Sequence, residues 1–272
     1  MVIGIIGGGA AGMAAALAAS EYKNAFVVLM ERQARLGKKL SATGNGRCNL
    51  TNRHASPAHY HGQDADFCAY ALEAFNVDAT LAWFSSLGLV TITEDSGRVY
   101  PYSNMAGSVL DVLRFALEHP NITLVAGCVV TNIRHKNGLF TVTTENDVFT
   151  AEKVILAAGG AAGSKVGGVM DGYQLGKAMG HHRTALYPSL VQLKTDPTYP
   201  RALKGVKAEA AITIRRRSEV LAQGKGEVLF TEYGVSGPAI FELSRAAATG
   251  GEGLEGGLDF LPDWTEEENL AW

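Results

Sequence analysis

Two short apolar runs flank a glycine cluster and an alanine-rich segment near the N-terminus. Residues 2–6 are continuously apolar or glycine, as in a strand that is buried on both faces of a parallel sheet. Glycine and alanine fill residues 7–12, alanine favours a helix over 13–21, and a second apolar run over 25–30 ends at Glu31. This order predicts strand, glycine turn, helix and strand within about 30 residues, the length of one βαβ unit.

The rest of the chain divides into a helix-rich stretch, a run of short strands and a strand-rich end. Residues 33–53 show no period and are dense in Gly, Asn, Lys and Arg, which indicates an ordered loop. Apolar faces with helical spacing predict helices at residues 64–88, 108–119 and 173–179. Thr265 is a candidate N-cap for one more helix. Alternation or short apolar runs predict strands within residues 91–101 (a hairpin), 122–126, 129–135, 140–144, 148–150, 153–158, 190–194, 208–215 and 227–231.

Composition and charge narrow the class of protein. The chain has 272 residues, of which 47% are hydrophobic and 19% charged, so it is long enough and apolar enough for a substantial folded core. A net charge of −3 gives no general attraction to nucleic acid or to an anionic membrane. The block Arg215-Arg216-Arg217 is interpreted as a solvated edge between strands. We therefore expect a small-molecule substrate, with neither nucleic acid nor membrane as a partner.

The metal-binding and redox residue types form no recognisable pattern. Cys48, Cys68 and Cys128 lack both metal-ligand and CxxC spacing, which favours a reducing, cytoplasmic setting. Cys48 is interpreted as a small packing residue. The histidines share no ligand spacing with acidic residues, so no metal site is predicted. The apolar run at the N-terminus is too short to span a bilayer.

The glycine turn has the spacing GxGxxG in the context that dinucleotide binding requires. Gly7 permits a tight turn, Gly9 lets a pyrophosphate approach the backbone, and Gly12 allows close packing of helix and strand. The N–H groups at the helix start, around Ala10 and Ala11, would face the phosphates. Glu31, followed by Arg32, would accept hydrogen bonds from the adenosine ribose and disfavour a 2′-phosphate.

FAD and NAD share this fingerprint, and three further features favour FAD. A loop with Lys38 and Lys39 follows the ribose acid, where flavoproteins bring basic residues to the diphosphate and ribityl chain. A β-meander over 122–150, with Val129 or Val130 as a main-chain contact to adenine, leads into a strand that ends at Ala158, Gly159 and Gly160. Asp171 then heads a helix and could contact the ribityl chain or a phosphate.

Four blocks resemble the BaiN/YhiN-like flavoproteins, also called the aminoacetone-oxidase family of FAD-binding enzymes. They are residues 37–52, which include the run TGNGRCNLTN, together with residues 97–101, 180–181 and 230–238. The resemblance covers the whole chain. It implies an α/β fold, namely a Rossmann-like FAD-binding domain of the glutathione-reductase type with an inserted β-rich second domain. The corresponding boundaries are 1–189 for the FAD-binding domain and 190–272 for the substrate-side domain.

The loop within the first block suits a flavin site. Gly44 and Gly46 can adopt positive φ and expose N–H groups. Arg47 would neutralise a phosphate or stabilise negative charge on reduced flavin, and Asn45 and Asn49 would donate hydrogen bonds to ring or ribityl oxygens. Cys48 completes this set of candidate cofactor-binding residues.

Two departures from the family pattern accompany the resemblance. Residues 167–173 read GGVMDGY where the family usually has GSTGDGY, so Val169 and Met170 cannot supply polar contacts while Asp171 is kept. The family also closes its FAD domain with a C-terminal segment that has no counterpart here. We therefore expect the ADP half of the site to be complete and both the flavin half and the second domain to be present only in part.

The sequence thus predicts a FAD-dependent oxidoreductase, with NADH or NADPH as candidate transient reductants. Electrons would pass through flavin N5, because the flavin supplies the hydride chemistry. The resemblance implies C=C reduction or amine-type oxidation and does not choose between them, and no catalytic acid or base is assigned. Two alternatives stay open: a non-catalytic FAD-binding redox sensor, and an NAD-binding dehydrogenase that uses the same fingerprint.

Overall fold

The computed structural model describes residues 1–264 and Glu268. The chain divides into two compact units, the first spanning Met1–Arg183 and the second beginning at Thr184. The domain boundary predicted from the sequence lies between residues 189 and 190. The helix predicted to begin at Thr265 lies outside the described residues. Within the described part of the chain, no helix is both long and apolar enough to cross a membrane.

The first unit contains ten strands and five α-helices among its described elements. The helices are α1 (Ala10–Ser20), α2 (Ala69–Ala74), α3 (Val77–Ser86), α4 (Ala106–Ala116) and α5 (Asp171–Ala178). The strands are β1 (Val2–Ile6), β2 (Phe26–Glu31), β3 (Thr51–Asn52), β4 (Thr91–Thr93), β5 (Arg98–Pro101), β6 (Ile122–Ala126), β7 (Val130–Lys136), β8 (Leu139–Thr144), β9 (Val148–Ala151) and β10 (Lys153–Leu156).

A parallel sheet with strand order β10-β1-β2-β6 forms the centre of this unit. Alternate side chains point to opposite faces of a strand. Ile5 and Leu29 pack with α1 and α4 on one face, whereas Ile6 and Met30 pack with the β7–β8–β9 meander and α5 on the other. Burial on both faces explains why β1 and β2 are continuously apolar. The predicted Rossmann-like α/β fold is confirmed.

The predicted helix over residues 64–88 is interrupted. A 3-10 turn (Ala65–Cys68) and α2 precede α3, and the chain breaks at Phe75 and Asn76. The Asn76 side chain accepts a hydrogen bond from the Ala79 nitrogen at 2.9 Å and caps α3. Asparagine favours such caps over helix interiors because its side chain bonds to the nearby backbone. The prediction of one continuous helix is therefore wrong.

The second unit is built on an antiparallel sheet with strand order β11-β14-β13-β12-β15. Helix α7 packs on this sheet, with Ile240 and Leu243 against Ile212 and Val228. Strand-rich patterning predicts the sheet but not α7. The elements are β11 (Leu193–Lys194), α6 (Thr198–Ala202), β12 (Lys207–Arg216), β13 (Glu219–Thr231), β14 (Gly234–Ser236), α7 (Pro238–Thr249) and β15 (Leu254–Asp259).

The basic block lies at the β12–β13 hairpin. Arg215 and Arg216 end β12, and Arg217 adopts a left-handed conformation with φ +56° in the turn. Arg216 forms an ion pair with Glu219 at 2.8 Å. The hairpin places this block at the end of two strands, where its charges reach water.

Candidate dinucleotide-binding site

The glycine turn between β1 and α1 has three glycines with different structural requirements. Gly7 has φ +108°, and a Cβ atom there would lie 2.5 Å from the Ala157 carbonyl oxygen. A Cβ atom on Gly12 would collide with the Gly7 carbonyl oxygen, whereas one on Gly9 would meet nothing within 4 Å. Gly7 and Gly12 are therefore needed for packing, and Gly9 leaves open space for a ligand.

The N-terminus of α1 is free to bind an anion. Gly9 precedes the helix and provides no side-chain cap, and Ala10 and Ala11 in the first turn are exposed. The first N–H groups of a helix lack intrahelical acceptors and carry partial positive charge. The start of α1 therefore suits a phosphate group, as predicted from the sequence.

Glu31 ends β2 and is oriented by two backbone groups. Its Oε2 accepts a hydrogen bond from the Gly8 nitrogen and its Oε1 from the Gln33 nitrogen, both at 2.7 Å. The residue is only 9% exposed. Each carboxylate oxygen can accept a second hydrogen bond. The carboxylate is thus fixed in place with acceptor capacity left for ribose hydroxyls.

A cavity of about 610 Å³ opens in front of this turn, within the first unit. This volume falls in the range of about 300–1,000 Å³ that is usual for small-molecule and cofactor sites. The predicted site residues that line it are Gly7, Gly9, Ala10, Ala11, Glu31, Arg32, Lys38, Lys39, Cys48, Asn49, Val129, Val130, Ala158, Gly159 and Asp171. The predicted site residues outside the lining are Gly12, Gly44, Asn45, Gly46, Arg47 and Gly160.

The cavity also has an apolar wall that the sequence did not assign to the site. Trp83 and Phe84 from α3 line it, with their rings edge-to-face and their centroids 4.9 Å apart. Phe75, Val109 and Leu113 add to the same lining. Helical spacing identifies these residues as an apolar face, but it cannot tell a face toward the core from a face toward a cavity.

The loop over residues 43–49 turns Arg47 away from the cavity. The Arg47 Nη2 atom lies 2.6 Å from Glu94 Oε1, and its Nε and Nη2 atoms lie 3.1 and 2.8 Å from Asn104 Oδ1. The guanidinium carbon sits 3.8 Å above the centre of the Tyr100 ring. The hydrogen bond to Glu94 raises the pKa of Arg47. These protein partners occupy the group that was predicted to meet a phosphate or flavin charge.

Two neighbours in the same loop face the cavity. Cys48 is 4% exposed, and burial raises the pKa of its thiol while a hydrogen bond with Thr43 partly opposes that effect. A buried neutral thiol is unreactive, which agrees with a packing role. With its amide oriented so that the nitrogen faces these acceptors, Asn49 donates to the Val99 and Thr51 carbonyl oxygens, at 3.2 and 2.8 Å. These acceptors fix the side chain at the cavity wall.

The segment from Gly159 to Asp171 borders the other side of the cavity. Arg32 Nη1 lies 2.5 Å from Asp171 Oδ2 at the start of α5. The Lys39 ammonium donates to the Gly160 carbonyl oxygen at 3.2 Å. Basic residues from the loop after β2 therefore hold this segment beside the cavity.

The residues fit an ADP-containing dinucleotide with a planar aromatic group. The open space at Gly9 suits a pyrophosphate, Glu31 suits a ribose, and the aromatic wall with Trp83 suits a flat ring system. Fold and site define a nucleotide-binding protein of the Rossmann type. The profile of the family described as "HI0933-like protein Rossmann domain" matches residues 1–258, so the chain belongs to this family.

Curated relatives agree with this assignment. The chain is 39% identical over 265 residues to the 3-dehydro-bile acid delta(4,6)-reductase of Clostridium scindens, covering 96% of this chain and 64% of the relative. It is 28% identical over 245 residues to the ribosomal RNA dihydrouridine synthase of Escherichia coli, covering 88% of this chain and 59% of the relative. The chain thus spans 59–64% of the length of these relatives.

Among solved structures, the FrdA chain of E. coli quinol fumarate reductase matches with a TM-score of 0.49. Its identity to this chain is 18%, and the match covers 77% of this chain and 43% of FrdA.

Proposed function

We propose that the chain binds FAD in the 610 Å³ cavity and takes part in the reduction of a carbon–carbon double bond in a small organic substrate. Bound FAD would supply the hydride chemistry: a hydride from NADH or NADPH would reach one carbon of the double bond by way of flavin N5, and a proton from solvent would complete the reduction at the other carbon. One observation carries the proposal: the uncapped N-terminus of α1, the oriented Glu31 carboxylate and an aromatic wall all line the same cavity.

Each part of the cavity has a role in holding the cofactor. The free N–H groups at Ala10 and Ala11 would bind the pyrophosphate. Glu31 would accept from the ribose hydroxyls and repel a 2′-phosphate, which favours FAD over NADP in this position. Trp83 and Phe84 would cover the flat ring system and exclude water from one side of it.

The two curated relatives favour double-bond reduction over amine-type oxidation. A delta(4,6)-reductase adds hydrogen to double bonds of its substrate, and dihydrouridine differs from uridine by hydrogen added across one double bond. Both names therefore describe the same kind of reaction on different molecules. The greater identity to the bile acid reductase supports a small organic substrate.

A cavity in the second unit also favours a small molecule over RNA. This cavity, of about 900 Å³, has apolar walls that include Ile212 and Phe230. This lining suits an apolar organic molecule.

A redox sensor that binds FAD without turnover and a dehydrogenase that binds NAD are the competing functions. The purified chain should be yellow, with absorption bands at about 370 and 450 nm. Anaerobic NADH or NADPH should bleach these bands, and an α,β-unsaturated ketone should restore them. Bleaching without reoxidation by any unsaturated ketone in a panel would favour the sensor. A colourless chain that takes up NAD but not FAD would overturn the proposal.

A further inference from the structure

Arg47 lies outside the cavity, yet its two C-terminal neighbours help to line it. Cys48 and Asn49 face the cavity, whereas the Arg47 side chain points to the hairpin formed by β4 and β5 and to Asn104 beyond it. One short loop therefore joins the cavity wall to a polar cluster on its outer side. We name the cluster of Arg47, Glu94, Tyr100 and Asn104 the arginine cluster.

The loop has a backbone that needs support. Gly44, Asn45, Gly46 and Cys48 all have φ between +55° and +84°. The left-handed conformation is unfavourable for most residues with a side chain, although asparagine tolerates it, so Cys48 is the strained residue here. The Arg47 and Cys48 nitrogens donate backbone hydrogen bonds within the loop, to the Gly44 and Thr43 carbonyl oxygens. Contacts from outside the loop help these bonds to hold its shape.

The arginine cluster supplies those contacts in a way that only arginine permits. Its guanidinium donates to Glu94 and, through two nitrogens, to Asn104, while its face lies 3.8 Å above the Tyr100 ring. Lysine would keep the charge but could not donate from a planar fork and stack at the same time. The cluster is also anchored to the fold, because Tyr100 is buried in β5.

We propose that Arg47 is a positioning residue that fixes the Cys48–Asn49 wall of the cofactor cavity without touching the cofactor. The role of this wall in flavin binding rests on the proposed function. The mechanical link, by which the contacts of Arg47 keep Cys48 buried, does not. Removal of the guanidinium would loosen the strained loop, so Cys48 would become accessible and Asn49 would be held at the cavity wall only by its own contacts with the Val99 and Thr51 carbonyl oxygens.

A test of the mechanical link needs no cofactor. The alkylation rate of Cys48 by iodoacetamide would be measured on folded protein in a background where Cys68 and Cys128 are replaced by serine. We expect Arg47→Met to raise this rate at least about tenfold, which corresponds to about 1.4 kcal/mol in the opening equilibrium. Arg53→Met is a matched control, because Arg53 also pairs with an acid, Asp78, at 2.5 Å but lies outside the loop over residues 43–49.

The link to the flavin is tested by titrating the same variants with FAD. We expect Arg47→Met to weaken FAD binding at least about tenfold and to shift the visible flavin bands, with Arg47→Lys between it and the parent. If Arg47→Met fails to fold, the milder Glu94→Gln and Asn104→Ala variants should each give part of both effects.

Equal alkylation rates in the Arg47→Met and Arg53→Met variants would overturn the positioning role. Faster alkylation with unchanged FAD affinity and spectrum would overturn its extension to the cofactor. If Arg47→Met speeds alkylation but the parent chain binds no FAD, the positioning role stands and the proposed function is refuted instead.

Discussion

The Oε2 atom of Glu31 lies 2.7 Å from the backbone nitrogen of Gly8. This hydrogen bond joins the end of β2 to the glycine turn that opens α1, so the acid and the helix N-terminus keep a fixed relative position. A second backbone donor, the Gln33 nitrogen, binds the other carboxylate oxygen. The two features that a dinucleotide needs, an anion site and a ribose acceptor, are therefore built as one unit.

Replacement of Glu31 should affect both stability and binding. Glu31→Gln keeps the size but leaves only one oxygen to accept from two backbone nitrogens, so one buried N–H loses its partner at a cost of about 1–3 kcal/mol. We expect a lower midpoint of urea unfolding and an FAD affinity at least about tenfold weaker. An unchanged affinity would show that Glu31 does not bind the ribose.

Gly9 and Gly12 provide a matched pair in the same turn. Gly9 has φ −77°, and a Cβ atom there meets no protein atom within 4 Å. Gly9→Ala should therefore change the free energy of unfolding by less than about 1 kcal/mol, while placing a methyl group where the pyrophosphate would lie. Isothermal titration with FAD should show a large loss of affinity.

Gly12→Ala should lower the stability of the fold more than Gly9→Ala does. Its Cβ atom would collide with the Gly7 carbonyl oxygen, so helix and strand must separate. We expect a loss of about 1–3 kcal/mol in unfolding free energy, measured by urea denaturation without cofactor. The assignment of these two glycines would be wrong if Gly9→Ala were the more destabilising and Gly12→Ala bound FAD normally.

Trp83 should report occupancy of the cavity. Because the Trp83 ring lines the cavity, a flavin bound there would lie close enough to the indole to quench its fluorescence. In a background with Trp264 and Trp272 replaced by phenylalanine, FAD should reduce the remaining emission with the same midpoint as the visible absorbance titration. In a chain that keeps Trp264 and Trp272, Trp83→Leu should remove most of the fluorescence change that FAD causes. An equal change in that protein would place the flavin near a different fluorophore.

Burial of the Cys48 thiol should appear in the pH dependence of stability. Its pKa in the folded protein is raised above the ordinary value of 9.0, chiefly by burial. The unfolded chain therefore releases this proton at lower pH than the folded chain does. The stabilising effect is complete below about pH 9 and is lost as the pH rises through the folded pKa.

Cys48→Ala tests this pH dependence. The difference in unfolding free energy between the parent and Cys48→Ala proteins, measured in urea, should be constant between pH 7 and 8.5. It should shrink between pH 9 and 10.5, because the parent alone loses the contribution of the thiol. A pH-independent difference would mean that Cys48 ionises equally in both states.

The sequence predicted those parts of the fold and site that depend on local pattern. The continuous apolar runs of β1 and β2 indicate a parallel sheet, because neighbouring residues such as Ile5 and Ile6 are then buried on opposite faces. The spacing of Gly7, Gly9 and Gly12 has an equally local cause. Each of these predictions concerns neighbours in the sequence.

Other features depend on contacts between distant residues and could not be predicted in this way. Arg47 meets Glu94 and Asn104 only after the hairpin of β4 and β5 has packed beside the loop, so its charge seemed available for a phosphate. Trp83 and Phe84 likewise line the cavity only because α3 packs against the core cluster of the first unit. Helix α7 was missed because strand patterning on either side of it dominated the region.

Binding of FAD in the cavity beside β1, β2 and α1 is the property on which the proposed function depends. A titration of purified, cofactor-free protein with FAD, followed by visible absorbance and by calorimetry, measures it directly. We expect saturable binding of about one FAD per chain, with binding by Gly9→Ala strongly weakened while its unfolding free energy is nearly unchanged. Absence of saturable FAD binding by the folded parent protein, or binding that Gly9→Ala leaves unaltered, would contradict this expectation.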